Sequence, residues 1–313
     1  MRRLRLARPI LGLMLFLSLC LSYQATLVPP FFIDSVVVIG HKETIPGPHP
    51  GPLQMKWVPE ASGFLYGDLR FKQGDQGRYA VYLVTNRHVI LEHMAAATGP
   101  LSVKFNSQSA GSAREYDLPL LDERGKPTWH VHPDPDVDLA VMLINVQFLQ
   151  EQGAKFSFFR NDGDVLSREK AKEIGLSEGD GVFVLGFPMA LVDEMQDYVI
   201  VRQGTIARIT DRLDSPMVKT FLIDSFVFPG SSGSPVVLKP EPIAIQGTKP
   251  AINTAYLVGV VQGFVPYIDV AVSAQTKRPR ITFEENSGLA RVVPADYIKE
   301  TIEDYKKSLP PGP

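Results

Sequence analysis

From residue 33 onward, apolar residues come in short or alternating runs broken by Gly, Pro and Asp clusters, the rhythm of an all-β barrel or sandwich with few helices. Strands are expected at Ser35 to Ile39, Gly63 to Tyr66, Tyr79 to Thr85, Leu101 to Phe105, Leu139 to Val146 and Gly181 to Phe187. Further strands are expected at Tyr198 to Thr210, Thr220 to Ile223, Gly233 to Leu238, Ala255 to Phe264 and Leu289 to Val293. His41 to Pro52, HKETIPGPHPGP, reads as a loop that cannot pair inside a sheet. EPIAIQGTKPAIN and AVSAQTKRPRITFEEN read as insertions between strands. Ser167 to Leu176 is at most a short charged helix, near the point where one half of the body hands over to the other. The end differs: Pro294 suits a first helical turn, and Tyr297, Ile298, Ile302 and Tyr305 share one face, predicting a closing helix from Ala295 to Ser308. No internal repeat appears at a solenoid or propeller period.

The chain has 313 residues, 44% apolar and 21% charged, enough for one large or two small cored domains and unlike a disordered tail. Lys and Arg total 32 against 34 acids, so no broad basic field is available for nucleic acid. Four arginines fall within the first eight residues and no acid precedes Asp34, which leaves the body mildly acidic. The basic cluster is followed by an apolar run from Ile10 to Ser22, the order of an export signal. Three readings stand for residues 1–32: a signal peptide cut after Ser22, an uncleaved anchor that contacts the membrane through residues 9–32, or a buried helix of the fold. The first two place the body outside the cytoplasm, in the periplasm or secreted in one case and on the inner membrane in the other. Cys20, the only cysteine, lies in that run, so the body has no disulfide and no Cys-based zinc module. Leu19 before it is too large for a lipoprotein signal.

Three places combine unusual chemistry, in the order His, Asp, Ser. LVTNRHVI delivers His88 at the tip of an apolar strand. DPDVDLAVMLI feeds Asp138 from an acidic loop into a buried strand. DSFVFPGSSGSPVV presents Ser232 between turn glycines. Each alone has an ordinary reading, as a satisfied histidine, a turn aspartate or a flexible linker. Together they supply what acyl transfer needs. A serine hydroxyl is a weak nucleophile without a base, the base needs a carboxylate to fix its tautomer, and the oxyanion needs two backbone N–H groups. Gly230 permits a turn that aims its N–H beside that of Ser232, and Gly233 keeps room beside the nucleophile for substrate. Asp136 sits between Pro135 and Val137 in the loop and is the weaker candidate carboxylate. The His88 to His93 spacing is not the HExxH of a metalloprotease. His130 and His132 with Asp134 could hold a metal, or simply lie on a surface strand. An α/β-hydrolase would need the order Ser, Asp, His and a GxSxG elbow, whereas GSSGS ends in Ser.

On VTNRHV, DVDLAV, GFP at 186–188, QGTIARI and PGSSGSPVV, followed by YLVGVVQGF and SGLARVVPADYIKETI, the chain resembles the chymotrypsin-fold, trypsin-like serine proteases. Within them it is similar to the bacterial group that includes the HtrA/Deg protease domain, over most of residues 60–306. The resemblance implies two six-stranded antiparallel β-barrels, at 33–165 and 166–308, with a C-terminal helix and a tail at 309–313. It implies a serine endopeptidase acting on polypeptide through an acyl-enzyme. His88 would be the general base, Asp138 its orienting partner and Ser232 the nucleophile, with Gly230, Ser231 and Ser232 as oxyanion hole. Phe226, Val227 and Phe228 with Val261, Gln262, Gly263 and Phe264 would wall the specificity pocket. No acid stands at its expected base, so a small or medium apolar side chain is expected rather than Lys or Arg. No metal or organic cofactor is required. Ser231 stands where digestive proteases have an activating aspartate, and the residues after Pro294 are too few for the PDZ domain of HtrA/Deg proteins. The alternative is a protease-fold protein that binds peptides or a partner protein without turnover.

Overall fold

A computed structural model describes residues 26–45, 51–74, 76–96, 100–109, 111–193, 195–241 and 254–309. The leader at residues 1–22 and most of EPIAIQGTKPAIN lie outside the described residues. Among the described residues, no helix is long and apolar enough to cross a membrane.

After a single helical turn, α1 (Pro30–Ile33), the first half is built from β1 (Val36–Ile45), β2 (Gln54–Gln73), β3 (Gln76–Thr85), β4 (Leu101–Phe105), β5 (Arg114–Leu118), β6 (Trp129–Val131), β7 (Ala140–Leu143) and β8 (Phe159–Arg160). Its eight-stranded sheet runs β5-β4-β1-β2-β3-β7-β6, with β8 joining β2 in parallel. Three helices, α2 (Arg87–Ala96), α3 (Val146–Glu151) and α4 (Arg168–Glu173), punctuate this half and the crossover. Asn145 and Ser167 cap the last two through their side-chain oxygens. The second half is a closed antiparallel barrel of β9 (Gly181–Gly186), β10 (Ile200–Arg208), β11 (Phe221–Asp224), β12 (Pro235–Leu238), β13 (Leu257–Val272) and β14 (Pro279–Pro294). A short α5 (Thr210–Asp214) joins β10 to β11, and α6 (Asp296–Ser308) ends the chain. This is the chymotrypsin fold expected from the sequence, with one barrel closed and the other half carrying eight strands rather than six.

Period-two alternation explains why the strands read as continuous apolar runs. Along β1, Val37 and Ile39 enter the core of the first half, while Val36 and Val38 enter a cluster shared by both halves. Along β9, Val182 and Val184 fill the second barrel, while Phe183 and Leu185 enter the shared cluster. That cluster also receives Phe64, Tyr82 and Leu139 from the first half, and Ile298 and Ile302 from α6. The closing helix therefore packs back on β6 and β7 as well as on β14.

Several local expectations are corrected. His41 to Ile45 is strand, paired with Gln54 to Val58, and residues 46–50 of the expected loop lie outside the described residues. Val146 starts a helix rather than ending a strand. Pro294 closes β14 instead of opening α6. AVSAQTKRPRITFEEN is largely a paired extension of β13 and β14, with partners from Pro266↔Asn286 out to Val272↔Pro279.

Candidate active site

β3 stops at Thr85, and the following residues wind into α2, because Leu91, Glu92, Met94, Ala95 and Ala96 favour helix over strand. His88 therefore stands in the first turn of a helix rather than on a strand tip. First-turn amides lack intrahelical partners. Asp138 satisfies one of them: its Oδ1 accepts from the His88 backbone N–H at 2.9 Å, and its Oδ2 lies 2.6 Å from His88 Nδ1. Negative charge at a helix N-terminus is favourable, so the carboxylate that orients the imidazole also caps its helix. Asn86, fully buried, donates from Nδ2 to the Asp138 carbonyl at 2.9 Å and fixes the loop in place. Asp136 is exposed and its N–H donates to Asp134 Oδ1, while the hydrogen bonds to His88 go to Asp138.

Ser232 sits in the turn between β11 and β12. Its Oγ is 3.2 Å from His88 Nε2 and 3.3 Å from the Gln262 carbonyl oxygen. The turn is held from four sides. Ser231 is buried; its N–H donates to Phe228 O at 2.9 Å, while its Oγ accepts from Phe228 N–H at 3.2 Å. Met189 N–H donates to Pro229 O at 2.6 Å, and Gly233 N–H donates to Val261 O at 3.0 Å. From the other half, Ser62 N–H donates to Ser232 O at 2.9 Å and Ser62 Oγ to Gly230 O at 2.8 Å. Ser62 Oγ in turn accepts from Phe187 N–H at 3.0 Å. Gly230 has φ +91°, where a Cβ would lie 2.5 Å from Phe187 O. Among the described residues, neither the Gly230 nor the Ser232 N–H donates to a backbone carbonyl.

Two expectations change here. Ser231 N–H is spent inside the turn, which removes it from the candidate oxyanion donors and leaves Gly230 and Ser232. Gly233, with φ +83°, does not make room for substrate; a Cβ there would run into Ser62 O and Thr85 Oγ1, so the glycine serves the junction between the halves.

Electrostatics follow from the partners. Burial alone would lower the His88 pKa, but the Asp138 hydrogen bond and charge, with a smaller contribution from Glu92, outweigh it and hold the imidazole above its ordinary value. Two cavities flank the His88 ring. One, of about 590 Å³, is lined by Leu91, Pro135, Asp136, Gln262, Gly263 and Phe264 among others. The second, of about 390 Å³, is lined by Glu60, Glu92, His93, Pro229, Gly230 and Ser232 among others.

The expected specificity pocket divides. Gln262, Gly263 and Phe264 line the first cavity, and a Cβ on Gly263 would meet nothing within 4 Å. Phe226, 49% exposed, stacks on Phe228 at 6.4 Å between ring centroids, and the Arg202 guanidinium stands 5.4 Å from the Phe228 ring. Val227 and Val261 are buried in the second barrel and back the wall rather than face the cleft. His130 and His132 pair instead with the closing helix, at 2.8 Å to Asp304 Oδ2 and 3.5 Å to Glu300 Oε2, while Asp134 pairs with Lys219 at 2.8 Å.

Sequence reasoning missed Ser62 and Asn86. Asn86 lies inside the VTNRHV motif and Ser62 directly precedes the strand expected at Gly63 to Tyr66, but a lone Ser or Asn carries no spacing signal; their roles arise from partners 52 to 168 residues away. Among curated proteins, none matches the chain in sequence. The model of one family does, described as the trypsin-like peptidase domain, and its match over residues 61–241 encloses His88, Asp138 and Ser232. On that match, which spans more than half of its residues, the chain belongs to the trypsin-like peptidase family.

Proposed function

We propose that the protein is a serine endopeptidase in which Ser232 is the nucleophile, His88 the proton carrier and Asp138 the group that orients and charges-balances the imidazole. The observation that carries this reading is the line of contacts from Asp138 Oδ2 through His88 to Ser232 Oγ, at 2.6 and 3.2 Å. Asp138 on Nδ1 fixes the tautomer whose Nε2 lone pair faces the hydroxyl. As Oγ attacks a peptide carbonyl carbon, its proton passes to Nε2. The carbonyl oxygen takes the electron pair and is received by the N–H groups of Gly230 and Ser232. Collapse of the tetrahedral species expels the amine, which takes the proton from Nε2 and leaves an ester on Ser232. Water then repeats the sequence, losing its proton to His88, and frees the acid. An occluded hole would need the Pro229 carbonyl turned toward the Ser232 N–H; Met189 N–H holds that carbonyl elsewhere, which favours turnover over passive binding.

The exposed Phe226, its stacked neighbour and the Arg202 charge favour an apolar substrate side chain over Lys or Arg. The basic-then-apolar order of residues 1–22 supports action outside the cytoplasm; a mature chain starting at Tyr23, or a membrane-bound chain starting at Met1, is expected, and a soluble cytoplasmic chain starting at Met1 would contradict it. The activity test is peptide cleavage by the wild type and by Ser232→Ala. Loss of roughly 10⁶-fold in kcat is expected, and cleavage that survives the substitution would overturn the assignment.

A further inference from the structure

Beside the candidate active site, two buried histidines and a carboxylate converge where three elements meet. His41 comes from β1, Glu60 from β2 and His93 from the last turn of α2, and one ligand atom of each lies within 4.8 Å of the others. Both histidines are buried, at 4% and 3% exposure. The strand register shifts at this point: Ile39 faces Ala61 and Gly40 faces Pro59, so Glu60 is the extra, unpaired residue of a β-bulge. Bulges re-aim side chains, and this one turns Glu60 toward the helix.

Glu60 reaches both histidines, one with each carboxylate oxygen. His41 Nε2 is hydrogen-bonded to Glu43 Oε1 at 3.1 Å. With the ring proton on Nε2, Nδ1 is free to act as a ligand, the outer-carboxylate arrangement that orients metal-binding imidazoles. Nδ1 is buried without a hydrogen-bond partner although Glu60 Oε1 is only 2.6 Å away. A metal ion between the Nδ1 lone pair and this carboxylate oxygen would satisfy both. The other Glu60 oxygen is 3.3 Å from His93 Nδ1. Two donors on a tetrahedral zinc ion are about 3.3 Å apart, given metal–ligand bonds of about 2.0–2.1 Å. The closer 2.6 Å approach has to open by about 0.7 Å to meet the same geometry, which the partly exposed Glu60 side chain has room to do.

We propose that His41, His93 and Glu60 form a binding site for a divalent transition metal of the zinc class, with Glu43 orienting His41. Two imidazole nitrogens and one carboxylate suit such an ion and not a hard cation such as Ca²⁺. Glu60 and His93 also line a cavity shared with His88 and Ser232, which puts the proposed site in the wall beside the candidate nucleophile. The site does not depend on the peptidase reading.

The test is equilibrium binding of Zn²⁺ to the full-length chain, purified in detergent as the non-cleaving Ser232→Ala form and stripped with a chelator. One ion per chain is expected, with Co²⁺ in its place giving the visible absorption of a four-coordinate nitrogen and oxygen site. Glu60→Gln and His93→Gln should each weaken binding at least about tenfold, and Glu43→Gln by about 10- to 100-fold, while His88→Ala leaves it unchanged. Should His93→Gln fail to fold, the partly exposed Glu60→Gln carries the comparison. Substoichiometric binding, binding that survives Glu60→Gln, or binding lost in His88→Ala would overturn the proposal, the last by placing the ion on the catalytic histidine.

Discussion

Asp138 does two things with one carboxylate, capping α2 and pairing with the ring that α2 carries. The pH dependence follows from the second. A protonated His88 cannot accept the Ser232 proton, and Asp138 stabilises that protonated form. Activity is therefore present above the His88 pKa and falls as pH drops through it, at a midpoint above that of an ordinary imidazole. A kcat/KM profile should show this midpoint, and Asp138→Asn should move it down while lowering kcat by about 10⁴-fold. A wild-type midpoint at or below the ordinary value, unmoved by Asp138→Asn, would contradict the account. Gly230→Ala tests the turn in another way. Positive φ and the nearby Phe187 carbonyl leave no place for a methyl group, so the turn must shift. A fall in kcat with little change in KM is expected, since the displaced N–H would act only on the oxyanion.

The elements that hold the site differ in how well their residues announce them. β4 falls at Leu101–Phe105 as its apolar run predicts, and α6 follows the spacing of Tyr297, Ile298 and Ile302, because local period and burial agree there. Helix α2 was hidden. Val89 and Ile90 continue the β-branched run of β3, the helix formers begin only at Leu91, and the carboxylate that caps the first turn comes 50 residues later. The β13–β14 extension was equally opaque, since Asp269, Glu284 and Glu285 read as loop chemistry yet stand on strands, opposite Phe283, Ile268 and Tyr267. At the site, His88, Asp138 and Ser232 were legible as a conjunction of motifs. Ser62 was not, although it joins β2 to both the Ser232 turn and the strand end at Phe187. Ser62→Ala would leave the buried Gly230 carbonyl and Phe187 N–H without a partner. A loss of about 1–3 kcal/mol in urea unfolding is expected, with kcat reduced more than KM is raised; unchanged stability and kinetics would show the hydroxyl to be dispensable.

At the scale of the molecule, the site exists only because the halves are packed together, His88 and Asp138 coming from one and Ser232 from the other. Three of the contacts that fasten them can be tested by stability. Ser62 is one. A second is the buried pair of Lys104 and Asp197, at 3.0 Å, where Lys104 also donates to the Asp193 carbonyl at 2.8 Å. Burial pushes the Asp197 carboxyl up, against the pull of Lys104. Removing one partner strands the other, so Asp197→Ala should cost about 3–5 kcal/mol. The third is α6, whose Ile298 and Ile302 enter the shared cluster. Ile302→Ala should cost about 2–5 kcal/mol and still unfold in one step. Both tryptophans, Trp57 and Trp129, lie in the first half, so their fluorescence and the far-ultraviolet signal of the whole chain should give coincident urea transitions. Separated transitions would mean that the halves fold independently. Whether this packing makes Ser232 a nucleophile is read from the reaction of the folded protein with a fluorophosphonate and the residue it modifies. One adduct per chain is expected, on Ser232, lost in Ser232→Ala and strongly slowed in His88→Ala; labelling that persists in Ser232→Ala, or none in the folded wild type, would show that Ser232 is not the nucleophile.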